Sequence, residues 1–147
     1  MKKTDNRNIN IALLGAGTVG GGVYRLIKEN REEFKDRTGA VINVKKVLVR
    51  DMSKDRPGFD KAVLTDDFNE IISDKDIEIV VELMGGLHPA LEYVTESLKA
   101  GKQVVTANKD LIAEHGEFIG NLAEQMGSDL LFEAAVAGAI PIIRPLK

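Results

Sequence analysis

The chain has 147 residues, 44% of them hydrophobic, with a formal charge of −3 and a pI near 5.5. That length supports one domain with a real core and excludes two large ones, while the mild acidity excludes a global pull on nucleic acid or an anionic membrane. The absence of cysteine removes disulfides, thiolate metal ligands and a cysteine nucleophile together, which suits a cytoplasmic protein. No stretch reaches the ~20 apolar residues of a membrane span, so neither a membrane nor a nucleic acid is expected as partner.

Residues 9–14 (INIALL) form a short apolar run stopped by Gly15, the pattern of a buried strand. Val19, Val23, Leu26 and Ile27, with Phe34 further on, recur at helical spacing and predict one helix closed by residues 37–39. Residues 42–49 (INVKKVLV) read as a second strand ending at Arg50 and Asp51, followed by a polar surface loop over 52–60 and a short helical pattern over 65–73. Residues 77–84 (IEIVVELM) read as a third strand ending in Gly85 and Gly86; Pro89 then opens a helix with Ala90, Leu91, Val94 and Leu98 on one face, stopped by Gly101. Residues 103–106 predict a fourth strand, Phe118, Ile119, Leu122, Ala123 and Met126 a helical stripe before Gly127, and residues 130–134 the last strand. Strands alternating with helices, most of them apolar on both faces, predict an α/β fold: a doubly wound parallel sheet of Rossmann type, helices on both faces, in one domain over residues 1–147. The closing IIRPLK belongs to no completed element, which suggests an excised piece of a longer polypeptide whose next domain begins here.

Gly15, Gly17 and Gly20 form G-x-G-x-x-G between the first strand and the first helix. In that context the first glycine permits a tight turn, the second lets a pyrophosphate approach the main chain, and the third lets the helix pack close to the strand. The helix beginning near Thr18 aims free N–H groups and its positive dipole end at the anion. Taken alone the motif also fits a flexible glycine loop; the surrounding strand–helix–strand order favours a dinucleotide. Arg50 offers a guanidinium for an adenosine 2′-phosphate, and Asp51 a carboxylate for a ribose hydroxyl, unless both are simply solvated; the arginine favours NADP over NAD.

Gly85 and Gly86 fit either a close backbone approach to the nicotinamide side or an ordinary turn. Glu82, inside an apolar strand, reads as a paired structural carboxylate, and His88 and His115 lack metal-like spacing. Lys109 follows the fourth strand, at the carboxyl edge where open α/β sheets bind ligands. It is either a surface lysine or a group that holds a substrate carboxylate or moves the hydroxyl proton as hydride departs.

The runs GAGTVG (15–20), VLVRD (47–51), VELMGG (81–86), VVTANKDL (104–111) and FEAAVAGAIPIIRPL (132–146) resemble, in order and over almost the whole chain, the amino-terminal nucleotide-binding part of homoserine dehydrogenase. The TANK and E-A-x-V-A-G-x-I-P segments are far more specific than the glycine motif. The resemblance implies NAD(P)-dependent interconversion of L-homoserine and L-aspartate 4-semialdehyde, on the route to threonine, methionine and isoleucine, by a parent enzyme that is a homo-oligomer. It places Gly17, Thr18 and Val19 at the cofactor phosphates, Arg50 at the 2′-phosphate, and Gly85 and Thr106 on the nicotinamide side. Lys109 maps onto the lysine that meets both cofactor and substrate and serves in proton transfer; its partner lysine belongs to the following domain.

The same resemblance implies a sodium ion held by Glu133, Val136, Gly138 and Ile140, largely through main-chain oxygen, with Ala139 standing where bacterial members usually carry a second glycine. Rival readings are another Rossmann oxidoreductase and a non-catalytic NAD(P)(H)-sensing module. Aspartate-semialdehyde dehydrogenase needs a cysteine absent from these residues, and the sugar oxidoreductases carry Glu-Lys-Pro where Thr-Ala-Asn-Lys stands here.

Overall fold

A computed structural model of the protein describes residues 7–137. The chain divides into two compact units, one running to Glu78 and the other starting at Ile79.

The first unit opens with β1 (Arg7–Leu14), whose last four residues are buried. Each buried leucine there contributes about 1.5–3 kcal/mol. Helix α1 (Thr18–Glu29) follows, then α2 (Arg31–Thr38) and β2 (Ala40–Leu48). A 3-10 turn over Lys61–Val63 leads into β3 (Leu64–Thr65) and the single-turn α3 (Asn69–Ile72). β2 is parallel to both β1 and β3, giving the order β3-β2-β1.

The expected single helix over the first connection is two. Asn30 sits at φ −108°, and its side-chain amide donates to the Leu26 carbonyl at 2.9 Å, satisfying the end of α1. A short amide side chain competes for backbone partners and is a weak helix former, so the helix stops there. α2 buries nothing; its exposed face carries Glu33–Arg37 and Glu32–Lys35 pairs at 3.4 and 3.9 Å, and Gly39 at φ +72° ends it.

Of the expected stripe of α1, Ile27 is buried as read, but the rest of the inward face is displaced. Gly20, Tyr24 and Ile27 face inward, whereas Val19 and Leu26 are 57% and 54% exposed. Both sets follow i, i+4, i+7 spacing on neighbouring stripes, and a glycine on the inner stripe hides it from an apolar count. The loop after β2 packs onto this helix: the Phe59 and Tyr24 rings lie 4.8 Å apart, and the Asp60 N–H donates to the Tyr24 hydroxyl at 3.3 Å.

The second unit takes up most of β4 (Ile77–Glu82), which begins just before the division, and holds α4 (Ala90–Lys99), β5 (Gln103–Thr106), α5 (Lys109–Met126), β6 (Leu130–Leu131) and α6 (Glu133–Ala137). β5 lies parallel between β4 and β6. Val94 and Leu98 of α4, Leu111 and Ile119 of α5, and Val104 of β5 form a core with no solvent exposure. On α5 the inward stripe is Leu111, Ile119 and Ala123, while Phe118 and Met126 are about half exposed. The strand expected over 130–134 is only two residues long, because residues 133–137 (EAAVA) are helical, as their alanines favour. β3 escaped the sequence reading because two residues carry no periodicity.

Candidate functional site

In the first unit, β1 ends at Leu14 and the chain turns at Gly15, whose φ of +111° excludes ordinary side chains. Its N–H donates to the Leu48 carbonyl at 3.0 Å, tying the turn to the end of β2. Gly17 is the N-cap of α1, in an extended conformation (φ −79°, ψ −161°), and its carbonyl accepts the Gly21 N–H at 2.8 Å. No side chain caps this helix and no acid stands in its first turn, so the first-turn amides of Thr18, Val19 and Gly20 have no partner within the helix. A Cβ placed on Gly17 would meet no atom within 4 Å. Gly17 therefore leaves a bare approach to unpaired N–H groups at a positive helix end, which is the chemistry of an anion site.

Beyond β2, Arg50 and Asp51 are both exposed. Asp51 Oδ1 accepts the Ser53 N–H at 2.9 Å and the Ser53 hydroxyl at 2.6 Å, and these bonds hold its carboxyl below the ordinary aspartate range. The Arg56 guanidinium braces the same loop by donating to the Asp51 and Lys54 carbonyls at 2.7 and 2.9 Å. Arg50 has no ion-pair partner among the described residues. The carboxylate is thus drawn into its own loop, and the neighbouring guanidinium is the group left open.

In the second unit, Gly85 and Gly86 turn the chain after β4 with φ of +74° and +72°, and neither would bring a Cβ within 4 Å of another atom. Glu82 is fully buried at the end of β4. Its Oε1 accepts the Met84 N–H at 2.7 Å and its Oε2 the Thr106 hydroxyl at 2.5 Å. Thr106 Oγ1 in turn accepts the Asn108 N–H at 3.0 Å. Asn108 caps α5 through the Leu111 N–H at 3.1 Å, while its side-chain amide donates to the Gly86 carbonyl at 2.6 Å. Lys109, the first residue of α5, stands exposed.

Glu82, Thr106, Asn108 and the Gly86 carbonyl thus form one hydrogen-bonded cluster of the second unit, with Gly85 and Lys109 as the chain neighbours of Gly86 and Asn108. Thr106, like Glu82, has no exposed surface, so its hydroxyl supports the cluster from behind. Asn108 of the TANK segment carries a capping role that its type and place signal, an asparagine directly before a helix start. His88 pairs with Glu92 at 2.6 Å on the surface, and no metal-binding group of three or more His, Cys, Asp or Glu occurs among the described residues. Of the expected sodium ligands, Glu133 opens α6 and is half-buried, Val136 lies in the same helix, and Gly138 and Ile140 fall outside the described residues. No helix of the described residues is long and apolar enough to cross a membrane.

A family model of the homoserine dehydrogenase NAD binding domain matches residues 15–133. The chain belongs to this family. The homoserine dehydrogenase of Corynebacterium glutamicum is 48% identical over 139 residues, which are 95% of this chain and 31% of that protein. The crystal structure of a homoserine dehydrogenase from Thiobacillus denitrificans matches with a TM-score of 0.88 and 44% identity, covering 95% of this chain and 32% of that one. A hyperthermophilic archaeal homoserine dehydrogenase in complex with NADPH matches with a TM-score of 0.75 and 26% identity, over 95% of this chain and 48% of that one. The chain thus has the Rossmann-type α/β fold of this family. It spans about a third of the length of the curated relatives it matches.

Proposed function

We propose that this chain is the nucleotide-binding part of an NAD(P)-dependent homoserine dehydrogenase, a cytoplasmic homo-oligomer in its complete form, which interconverts L-homoserine and L-aspartate 4-semialdehyde. The observation that carries this reading is the uncapped start of α1 behind Gly17, where open space replaces the side chain. A pyrophosphate fits that cradle: Gly15 makes the turn, Gly17 admits the anion, Thr18 and Val19 offer main-chain amides, and Gly20 seats the helix. Arg50, free of an ion pair, is the group for a 2′-phosphate, whereas the Asp51 carboxylate is engaged by Ser53. This favours NADP, as does the NADPH bound by the archaeal relative.

On the nicotinamide side, the reading assigns Gly85 as bare backbone and Lys109 as the catalytic residue, with Thr106 contributing through the polar cluster rather than by contact. When bound, the reduced nicotinamide supplies the hydride. The Lys109 ammonium, a compact cation with three donors, holds the substrate carboxylate or delivers a proton to the aldehyde oxygen as it becomes the homoserine hydroxyl. A sodium ion on the oxygens of Glu133, Val136, Gly138 and Ile140 is part of the same proposal and is tested by activity in sodium against potassium buffers.

The deciding experiment mixes the complete enzyme with NADPH and aspartate 4-semialdehyde and follows nicotinamide absorbance. Oxidation of NADPH is expected. The 147-residue chain alone should bind the dinucleotide without turnover, because the partner lysine implied by the family is not among its residues. Retained nucleotide binding with no oxidation by the complete enzyme would instead identify a redox-sensing module.

A further inference from the structure

The carboxylate of Glu82 is a costly group to find at this place. It is fully buried, forms no ion pair among the described residues, and accepts one backbone and one hydroxyl hydrogen bond. An apolar side chain would close the sheet at lower desolvation cost.

What the carboxylate does is join two turns that approach from different strands. Oε1 fixes the Met84 amide, at the start of the turn through Gly85 and Gly86. Oε2 fixes the Thr106 hydroxyl, which receives the Asn108 N–H. Asn108 then reaches back to the Gly86 carbonyl, closing a ring of hydrogen bonds. The same asparagine caps α5 two residues past Lys109, so the backbone of Lys109 is held on both sides. The Glu82 main-chain carbonyl adds a bond from the Ala107 N–H at 3.2 Å. Gly85 and Gly86, at positive φ beside open space, carry no side chains to anchor the turn, and the ring supplies hydrogen bonds on either side of Gly85, at the Met84 N–H and the Gly86 carbonyl.

We infer that Glu82 is a positioning residue: through Thr106 and Asn108 it locks the diglycine turn and the base of Lys109 in the arrangement that receives the nicotinamide half of the dinucleotide. The inference rests on the proposed function. Glu82 and Thr106 have no exposed surface, so the inference gives them a supporting part behind the two turns. Leaving a buried donor without its acceptor is costly enough to change an equilibrium about tenfold or more.

The test titrates NADPH, and NADH alongside, into the chain and compares ADP, which carries adenosine and pyrophosphate without nicotinamide. Glu82→Gln replaces one acceptor oxygen with an NH2 donor, so the Met84 N–H and the Thr106 hydroxyl can no longer both donate to it, and Thr106→Val removes the hydroxyl; both should weaken the reduced dinucleotide about tenfold while leaving ADP unchanged. Thr106→Ser, which keeps the hydroxyl, should restore wild-type affinity. Asn108→Ser keeps the helix cap but loses the bond to Gly86; it guards against a misfolded Glu82 variant and should show the same selective loss. Equal weakening of ADP and dinucleotide, or a folded Asn108→Ser with unchanged dinucleotide affinity, would overturn the inference alone. A wild-type chain that binds neither ligand would overturn the functional reading as well.

Discussion

Replacing Gly17 with alanine separates a glycine kept for folding from one kept for a ligand. The native φ of −79° and ψ of −161° are open to alanine, and the added methyl meets no atom within 4 Å. Alanine is a poorer N-cap than glycine by about 0.5–1 kcal/mol. Restricting the unfolded chain returns about 0.4–1 kcal/mol. The two nearly cancel, leaving a net change within about 0.5 kcal/mol and a melting shift within about 2 °C. Binding has no such cancellation. A methyl standing where a pyrophosphate must rest costs about 1–3 kcal/mol by overpacking, which is about 5- to 150-fold in Kd. Melting followed by circular dichroism and NADPH titration followed by fluorescence read the two effects separately. Unchanged NADPH affinity in a folded Gly17→Ala chain would show that no phosphate approaches there, and a loss of many degrees in Tm would make the glycine structural.

Arg50→Ala should weaken NADPH about tenfold and leave NADH unchanged in parallel titrations; equal losses would remove the 2′-phosphate assignment. In the complete enzyme, Lys109→Ala should lower kcat/KM about a hundredfold or more while moving Tm by no more than about 2 °C, since the side chain is exposed at a helix start. Lys45 lies 2.7 Å from Asp74 and 3.1 Å from Asp76, and the hydrogen bond to Asp74 raises its pKa above the ordinary lysine value. Because the folded value is the higher one, its stabilisation is complete below the unfolded pKa and is lost as pH rises through the folded one. The side chain is partly exposed, so Lys45→Met should cost at most about 0.5 kcal/mol at neutral pH. That difference should shrink as pH rises past the ordinary lysine value of about 10.4 in melting curves of both proteins.

The α/β class, the glycine turn, and the places of Arg50 and Lys109 at strand ends could all be read in the amino-acid sequence. They depend on short-range facts: a β-branched apolar run must be a buried strand, a glycine at φ +111° must turn, and a lysine three residues past a strand must stand near its carboxyl end. The TANK segment and its companions carried the family for the same reason, since fixed residue types at fixed spacings survive without knowledge of contacts.

Only the tertiary structure decided which of two equally spaced stripes of α1 faces inward, because a glycine on the buried stripe has no side chain to count. It also decided that Thr106 turns away from solvent toward Glu82, that Asp51 is consumed by its own loop, and that Asn108 links a helix cap to a glycine carbonyl in a turn 22 residues earlier in the chain. A hydrogen bond between residues far apart in sequence leaves no local periodicity. Its cost and benefit appear only when the strands that carry its two ends are laid side by side.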